Sequence, residues 1–229
     1  DKSAKAIQNY SLRIAQFLIE NNCKMIVIAC NTASSFGFEV VKKLAGKNIP
    51  VINVIDPVVE VVSKKFRNGN IGVIGTKGTI RSDVYSKKLK IKNKKLNIYS
   101  QATPLLAPMV EEGFFDNRIS RTIINSYLSR PKLKNIDALI LACTHYPLIR
   151  KEIEEFYDGK VKVVDSAETV ALQVMKKLKS LRLLAPEKKS LRQHKNVFYV
   201  SDYTSSFEKS TRIFFKGKIN LKYFPLWEK

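Results

Sequence analysis

Short apolar runs rich in valine and isoleucine alternate along this chain with longer amphipathic segments. In the longer segments, apolar residues recur every three or four positions, as on one face of a helix. Such alternation is typical of strand–helix units built around a parallel sheet. The runs predict strands at residues 25–29, 51–55, 71–74, 97–100, 138–142, 161–164 and 197–200. The amphipathic segments predict helices at residues 34–44, 58–66, 80–89, 105–112, 117–128, 148–156 and 168–180.

A further helical pattern lies at the start of the chain. Ser3 is a suitable N-cap residue for it. The apolar face of this helix consists of Ile7, Tyr10, Ile14, Phe17 and Leu18. A helix that opens an α/β protein with no strand before it is topologically unusual. We therefore expect a strand-bearing segment upstream of Asp1.

One internal repeat indicates where a site would lie. Residues 25–32 read MIVIACNT and residues 138–145 read ALILACTH, so each is an apolar strand followed by Ala-Cys and small polar residues. The repeat predicts two related α/β halves, each with a cysteine, Cys30 or Cys143, at the carboxyl end of a strand. In open α/β sheets, ligands bind at that edge.

The repeated cysteines are candidates for proton transfer. A free thiol titrates near pH ~8.5, and a helix N-terminus stabilises its thiolate. The residues after the two cysteines are poor core residues but good donors to a carboxylate: Asn31, Thr32, Thr144 and His145. Two thiols facing one cleft favour a reaction in which one removes a proton and the other supplies one. A single strand-end cysteine is more often a small buried apolar side chain, and Cys23 is predicted to be structural.

Other chemistries fit the sequence less well. The three cysteines and two histidines lack the paired spacing of a zinc site, so no metal is predicted. His145 follows Cys143 too closely for the usual cysteine–histidine hydrolase, and His194 is predicted to be a solvated residue of a polar connection at 184–195. Residues 72–79 form a glycine-rich turn whose spacing matches no nucleotide-binding motif. That turn either offers donors to an anion or is purely structural, and no cofactor is predicted.

Composition sets the class of protein. A chain of 229 residues that is 45% hydrophobic and 27% charged suits one large or two small folded domains. No apolar run approaches the roughly 20 residues of a membrane span, and no signal peptide opens the chain, so we expect a cytoplasmic protein that does not engage a membrane. With only three cysteines, a disulfide framework is excluded and a reducing compartment is expected.

The net charge of +21 raises nucleic-acid binding as a hypothesis from a different class. However, only ten of the 41 basic residues are arginine, the residue favoured for bidentate phosphate and base recognition. The lysine clusters at residues 87–95 and 176–195 are not interleaved with aromatic residues. We therefore favour a solvated lysine face over a nucleic-acid partner.

Four motifs together resemble one known family. Residues 28–34 (IACNTAS) and 141–148 (LACTHYPL) look like the two signature motifs of glutamate racemases. Residues 75–80 (GTKGTI) resemble the family's intermediate Gly-Thr motif, and residues 104–113 resemble its Pro-Leu…Val-Glu-Glu-Gly helix. The motifs fall in family order and span most of the chain.

The resemblance implies a cofactor-independent isomerase that interconverts L- and D-glutamate for peptidoglycan precursors. Cys30 and Cys143 would be the two proton donors and acceptors, with His145 assisting Cys143. The substrate would be held by Asn31, Thr32, Thr79, Thr144 and His145. The implied fold is two pseudo-symmetric α/β domains, each a mainly parallel sheet flanked by helices, with the active site in the cleft between them. The implied domains are residues 1–55 plus 165–229, and residues 56–164.

The sequence departs from the family at its start. Family members begin with a strand and an Asp-Ser-Gly motif, then a Pro-Tyr-Gly segment before the first helix, and neither motif is present here. We therefore expect the N-terminal strand of the first domain to be missing from this sequence. Racemisation of aspartate or another amino acid, and a lysine-rich nucleic-acid binder on a degenerate racemase fold, remain the alternatives. A homodimer is also left open.

Overall fold

The computed structural model describes residues 2–184, 196–204, 207, 211, 215 and 219–228. Within these residues the helices are α1 (Ala4–Glu20), α2 (Asn31–Ala45), α3 (Asp56–Lys65), α4 (Lys77–Arg81), α5 (Val84–Lys92), α6 (Leu106–Glu111), α7 (Arg118–Leu128), α8 (Arg150–Phe156) and α9 (Ala167–Ser180). Short 3-10 helices lie at Pro131–Leu133 and Tyr146–Ile149. The strands are β1 (Ile26–Ile28), β2 (Val51–Asn53), β3 (Gly69–Gly75), β4 (Leu96–Ala102), β5 (Ala138–Ala142), β6 (Lys162–Val164), β7 (Phe198–Val200) and β8 (Leu221–Tyr223).

The strands form three parallel sheets. The central one has the order β4-β3-β5-β6, and the two others are the pairs β1-β2 and β7-β8. In the central sheet, Ile71 of β3 lies opposite Ala138 of β5 and Ile98 of β4. Since all neighbours in this sheet are parallel, the carboxyl ends of β3, β4 and β5 meet at one edge.

The central sheet is buried on both faces, which explains its continuous apolar strands. Ile71 and Val73 pack in a core with α3 and α5, while Ile74 and Leu139 pack in a second core with α6, α7 and α8. Successive side chains therefore enter opposite cores, as the two-residue period of a strand requires. This arrangement confirms the predicted mixed α/β class with parallel sheets flanked by helices.

Helices α1 and α2 pack closely on the β1-β2 pair. Their small core includes Ala15, Ile26 and Val41. At the crossing of the two helices, Gly37 lies against Ser11, and a Cβ at Gly37 would fall 2.3 Å from Ser11 Oγ. The absence of a side chain at Gly37 is what allows this approach.

Most predicted elements are present, with three corrections. The predicted helix at residues 80–89 is wrong as a single element: α4 and α5 are separate because Asp83 adopts a left-handed conformation (φ 56°). The predicted helix at residues 148–156 begins as the 3-10 turn Tyr146–Ile149. Strand β8 was not predicted, since it is short and two of its three residues are exposed. Residues 185–195, with His194 and most of the predicted polar connection, lie outside the described residues.

In the part of the chain that the structure describes, no helix has the length and apolar character needed to cross a membrane.

Candidate active site

Cys30 lies where strand β1 passes into helix α2. It is the N-cap residue of α2, and the backbone N–H of Ala33 donates to its Sγ at 3.5 Å. The helix is held at this edge by Ser34, whose hydroxyl donates to the Ile28 carbonyl and accepts from the Val54 N–H. Cys30 is exposed, so its thiol is accessible to a ligand at the end of the strand.

Cys143 directly follows strand β5 and is buried. Burial raises the pKa of its thiol to about 11. Backbone hydrogen bonds from His145 and Tyr146 act in the opposite direction, whereas negative charge at Cys30 or Glu111 raises the pKa further. The two predicted thiols therefore interact electrostatically.

The loop after Cys143 is held in place by a buried side chain. The ring of Tyr146 is fully buried, and its hydroxyl lies 2.7 Å from the hydroxyl of Thr103. Thr103 in turn donates from its backbone N–H to the carbonyl of Gly75 at the end of β3. The loop therefore has a fixed position at the carboxyl edge of the central sheet.

His145 connects the buried thiol to a carboxylate. Its Nδ1 lies 3.6 Å from Cys143 Sγ, and its Nε2 lies 3.0 Å from Oε1 of Glu111 at the end of α6. Glu111 lies in the family motif at residues 104–113 but was not predicted as a site residue, because only the fold brings α6 to this loop. Thr144, between the two site residues, is exposed at the surface.

Three threonine hydroxyls form a closed cluster beside Cys30. Thr32 Oγ1 lies 2.8 Å from Thr76 Oγ1 and 3.0 Å from Thr79 Oγ1, and the last two are 3.1 Å apart. The approach depends on Gly78, since a Cβ there would lie 3.0 Å from the Thr32 methyl group. Thr32 and Thr79 were predicted site residues, while Thr76, the N-cap of α4, was missed. Hydroxyls that can rotate their hydrogens towards an incoming anion suit a carboxylate.

Asn31 is buried at the first position of α2. The hydroxyl of Tyr85 donates to its Oδ1 at 2.7 Å. Its Nδ2 is buried and has no hydrogen-bond partner among the described residues. An unpaired buried donor costs roughly 1–3 kcal/mol, and such costs concentrate at functional positions.

A cavity of about 390 Å³ opens beside these groups. It is lined by Cys30, Thr32 and Thr76 and by residues of α1 such as Tyr10 and Ile14, and its lining does not include Cys143 or His145. The volume is sufficient for an amino acid. Among the residues that the structure describes, no cluster of three or more histidine, cysteine or acidic side chains is arranged to hold a metal ion.

Comparisons with known proteins bear on the family of this chain. A family model described as Asp/Glu/Hydantoin racemase matches residues 1–174. The chain is 38% identical over 218 residues to the glutamate racemase of Geobacter metallireducens, covering 95% of this chain and 79% of that protein. It is 36% identical over 213 residues to the glutamate racemase of Chlorobaculum tepidum, covering 93% and 77%. The crystal structure of the Francisella tularensis glutamate racemase with D-glutamate superposes with a TM-score of 0.90 at 33% identity, covering 99% of this chain and 82% of that one.

Proposed function

This chain belongs to the Asp/Glu/Hydantoin racemase family, and we propose that it interconverts L- and D-glutamate by proton transfer between Cys30 and Cys143. The reaction class is isomerisation. The observation that carries the proposal is the pair of thiols, each at the carboxyl end of a parallel strand, with carboxylate-binding groups beside both.

Inversion of a stereocentre needs two groups. One thiolate removes the α-proton from one face of glutamate, and the electron pair of that C–H bond remains on the α-carbon as a planar carbanion. The opposite thiol then donates its proton to the other face and becomes a thiolate. Atoms and charge balance, and only the protonation states of the two sulfurs have been exchanged.

The environment of Cys143 suits the donor role. With a pKa of about 11, its thiol is protonated at neutral pH. In the reverse direction Cys143 acts as the base, so it must already be a thiolate when the substrate binds, and the neighbouring His145, paired with Glu111, is placed to accept its proton beforehand. The backbone N–H groups of His145 and Tyr146 then stabilise the thiolate.

The substrate carboxylate is assigned to the hydroxyl cluster and its neighbours. We assign substrate binding to Asn31, Thr32, Thr79, Thr144 and His145. The hydroxyl contacts join α2 to α4, which lie in different proposed domains: residues 1–55 plus 165–229, and residues 56–164. The four strands of the central sheet all fall within the second of these ranges, which supports this division.

A direct assay tests the proposal. The purified protein, expressed with any residues that its gene encodes before Asp1, is incubated separately with L-glutamate, D-glutamate, L-aspartate and D-aspartate, and the optical activity is followed by circular dichroism. We expect each glutamate enantiomer to approach a 1:1 mixture without added cofactor. If only aspartate is racemised, the substrate is aspartate and not glutamate. If neither is racemised, the proposal is overturned.

Three finer assignments accompany this function. A cytoplasmic location is supported by the free state of Cys23, Cys30 and Cys143, because thiols persist in reducing compartments. Supply of D-glutamate for peptidoglycan is tested by whether the gene restores growth to a bacterium that requires D-glutamate. A homodimer is the third assignment, and sedimentation equilibrium tests it.

A further inference from the structure

A buried tyrosine contacts the residue next to Cys30. Tyr85 lies on α5 with its ring packed in the core between the central sheet and α3, and it is only 3% exposed. Its hydroxyl reaches Oδ1 of Asn31 at 2.7 Å, across from one proposed domain to the other. No pattern in the sequence connects these two residues.

This hydrogen bond orients the Asn31 amide. The tyrosine hydroxyl donates its hydrogen to Oδ1, so the amide oxygen is turned towards Tyr85 and the NH₂ group is turned away from it. Burial, reinforced by the charge of Asp56, raises the pKa of Tyr85 far above its ordinary value, and the hydroxyl therefore stays protonated and remains a donor. The opposite orientation would present the amide oxygen, which repels an anion, where the NH₂ now lies.

The NH₂ group is the part of Asn31 that lacks a partner. Nδ2 is buried and unpaired within the described part of the chain, although Asn31 lies between Cys30 and the hydroxyl cluster of Thr32. Nδ2 therefore requires an acceptor that the described residues do not supply, and Asn31 adjoins Cys30 and Thr32, which line the cavity. A carboxylate oxygen meets this requirement with a charge-assisted hydrogen bond.

We propose that Tyr85 is a positioning residue for substrate binding: it holds the Asn31 amide so that Nδ2 is left to bind the substrate's carboxylate. The inference rests on the proposed function, because it takes an amino acid as the ligand. Tyr85 does not touch the reacting atoms. It affects the affinity for the substrate only through Asn31.

Tyr85→Phe removes the hydroxyl and keeps the buried ring. We expect the KM for both glutamate enantiomers to rise about tenfold, with a smaller change in kcat. The matched control is Tyr157→Phe, which also removes a hydroxyl from a buried ring, one that donates to the Leu133 carbonyl at 3.1 Å. That variant should keep the original KM, although it loses a comparable hydrogen bond.

A double-mutant cycle separates positioning from general destabilisation. In an Asn31→Ala background there is no amide to orient, so adding Tyr85→Phe should leave KM unchanged. A second variant, Asn31→Asp, keeps an oxygen acceptor for Tyr85 but replaces the NH₂ by a negatively charged oxygen, and it should bind glutamate more weakly than the Tyr85→Phe variant. If Tyr85→Phe does not fold, undiminished affinity in Asn31→Asp still overturns the proposal, because no NH₂ group would then be needed for Tyr85 to position.

Affinity is also measured by calorimetric titration with D-glutamate, independently of turnover. Binding without racemisation by the unchanged chain refutes the proposed function and leaves the Tyr85 comparison intact. Three outcomes would each overturn the positioning role. They are unchanged affinity in Tyr85→Phe, full additivity of Tyr85→Phe with Asn31→Ala, and undiminished affinity in Asn31→Asp.

Discussion

The Nδ1 atom of His145 lies 3.6 Å from the Sγ atom of Cys143, two residues before it in the chain. The other ring nitrogen lies 3.0 Å from a carboxylate oxygen of Glu111. The imidazole therefore lies between the Cys143 thiol and the Glu111 carboxylate, and each of its ring nitrogens has a polar partner. This relay can be tested at Glu111, which the sequence had not predicted as a site residue.

Replacement of Glu111 should impair catalysis more than stability. Glu111 is 54% exposed, and ion pairs at such positions contribute at most about 1 kcal/mol to the free energy of unfolding. In the Glu111→Gln variant His145 loses its charged partner, and we expect kcat/KM to fall about tenfold or more. The measurement is initial-rate kinetics in both directions, with Glu112→Gln as the exposed neighbouring control.

The two enantiomers of glutamate have equal free energy, so the loss in kcat/KM has to be the same for L- and D-glutamate. An unequal loss would show an error in the assay. An unchanged kcat/KM in Glu111→Gln would remove the carboxylate from the relay.

The raised pKa of Cys143 predicts a loss of stability at high pH. Its pKa is about 11 in the folded chain against an ordinary value of 9.0, so between these values the unfolded state has released a proton that the folded state still holds. The contribution of Cys143 to the free energy of unfolding is therefore complete below pH ~9. As the pH rises towards ~11, roughly 2–3 kcal/mol of it is lost. Urea unfolding at pH 8 and pH 10.5 measures it.

The control for this effect is Cys143→Ala. Lysine and tyrosine side chains titrate in both proteins, so their contributions cancel in the comparison. The free energy of unfolding of the unchanged chain should fall more steeply with pH than that of the variant. Parallel curves would contradict a strongly raised pKa at Cys143.

The fold was largely predictable because the central strands are buried on both faces. Ile71 and Val73 enter one core and Ile74 the other, which makes the strand a continuous apolar run in the sequence. The break at Asp83 was not predictable in the same way. A single residue in the left-handed conformation alters no apolar periodicity, and so α4 and α5 read as one helix.

The candidate site residues were predicted where they repeat or where, like Thr79, they fall in a family motif. Cys30 and Cys143 could be found because each follows a similar apolar run, and their polar followers came with them. Thr76, Tyr85 and Glu111 reach the site from other elements through tertiary packing. Their contacts depend on how α4, α5 and α6 are placed, which no local pattern encodes.

Gly37→Ala should destabilise the crossing of α1 and α2. The new Cβ would lie 2.3 Å from Ser11 Oγ and 2.7 Å from Ser11 Cβ, and while the hydroxyl can rotate away, the Cβ cannot. Overpacking of this kind costs about 1–3 kcal/mol, more than the better helix propensity of alanine returns. Urea unfolding at neutral pH measures the change.

Ser11→Gly supplies the compensating change, because it removes both clashing atoms. The double variant should lose less stability than the sum of the two single variants, by about 1 kcal/mol or more. Additive losses would show that the helices separate at this crossing instead of clashing.

The two-thiol mechanism makes the sharpest prediction. Each of Cys30→Ala and Cys143→Ala removes the base or acid from one face of the substrate, and the remaining group cannot return a proton to the opposite face. Both variants should therefore lose racemisation. Cys23→Ala should retain it, because Cys23 lies before β1 and takes no part in the contacts of Cys30 with Ala33 or of Cys143 with His145.

The surviving thiol should still exchange the α-proton on its own face. In D₂O we expect each single variant to incorporate deuterium into one enantiomer without inversion, and the two variants to prefer opposite enantiomers. Mass spectrometry of L- and D-glutamate, recovered separately for each variant, measures this. Since each thiol faces only one side of the α-carbon, exchange of the same enantiomer by both variants would place the thiols on one face. Racemisation by either variant at close to the original rate would show that a group other than that cysteine moves the proton.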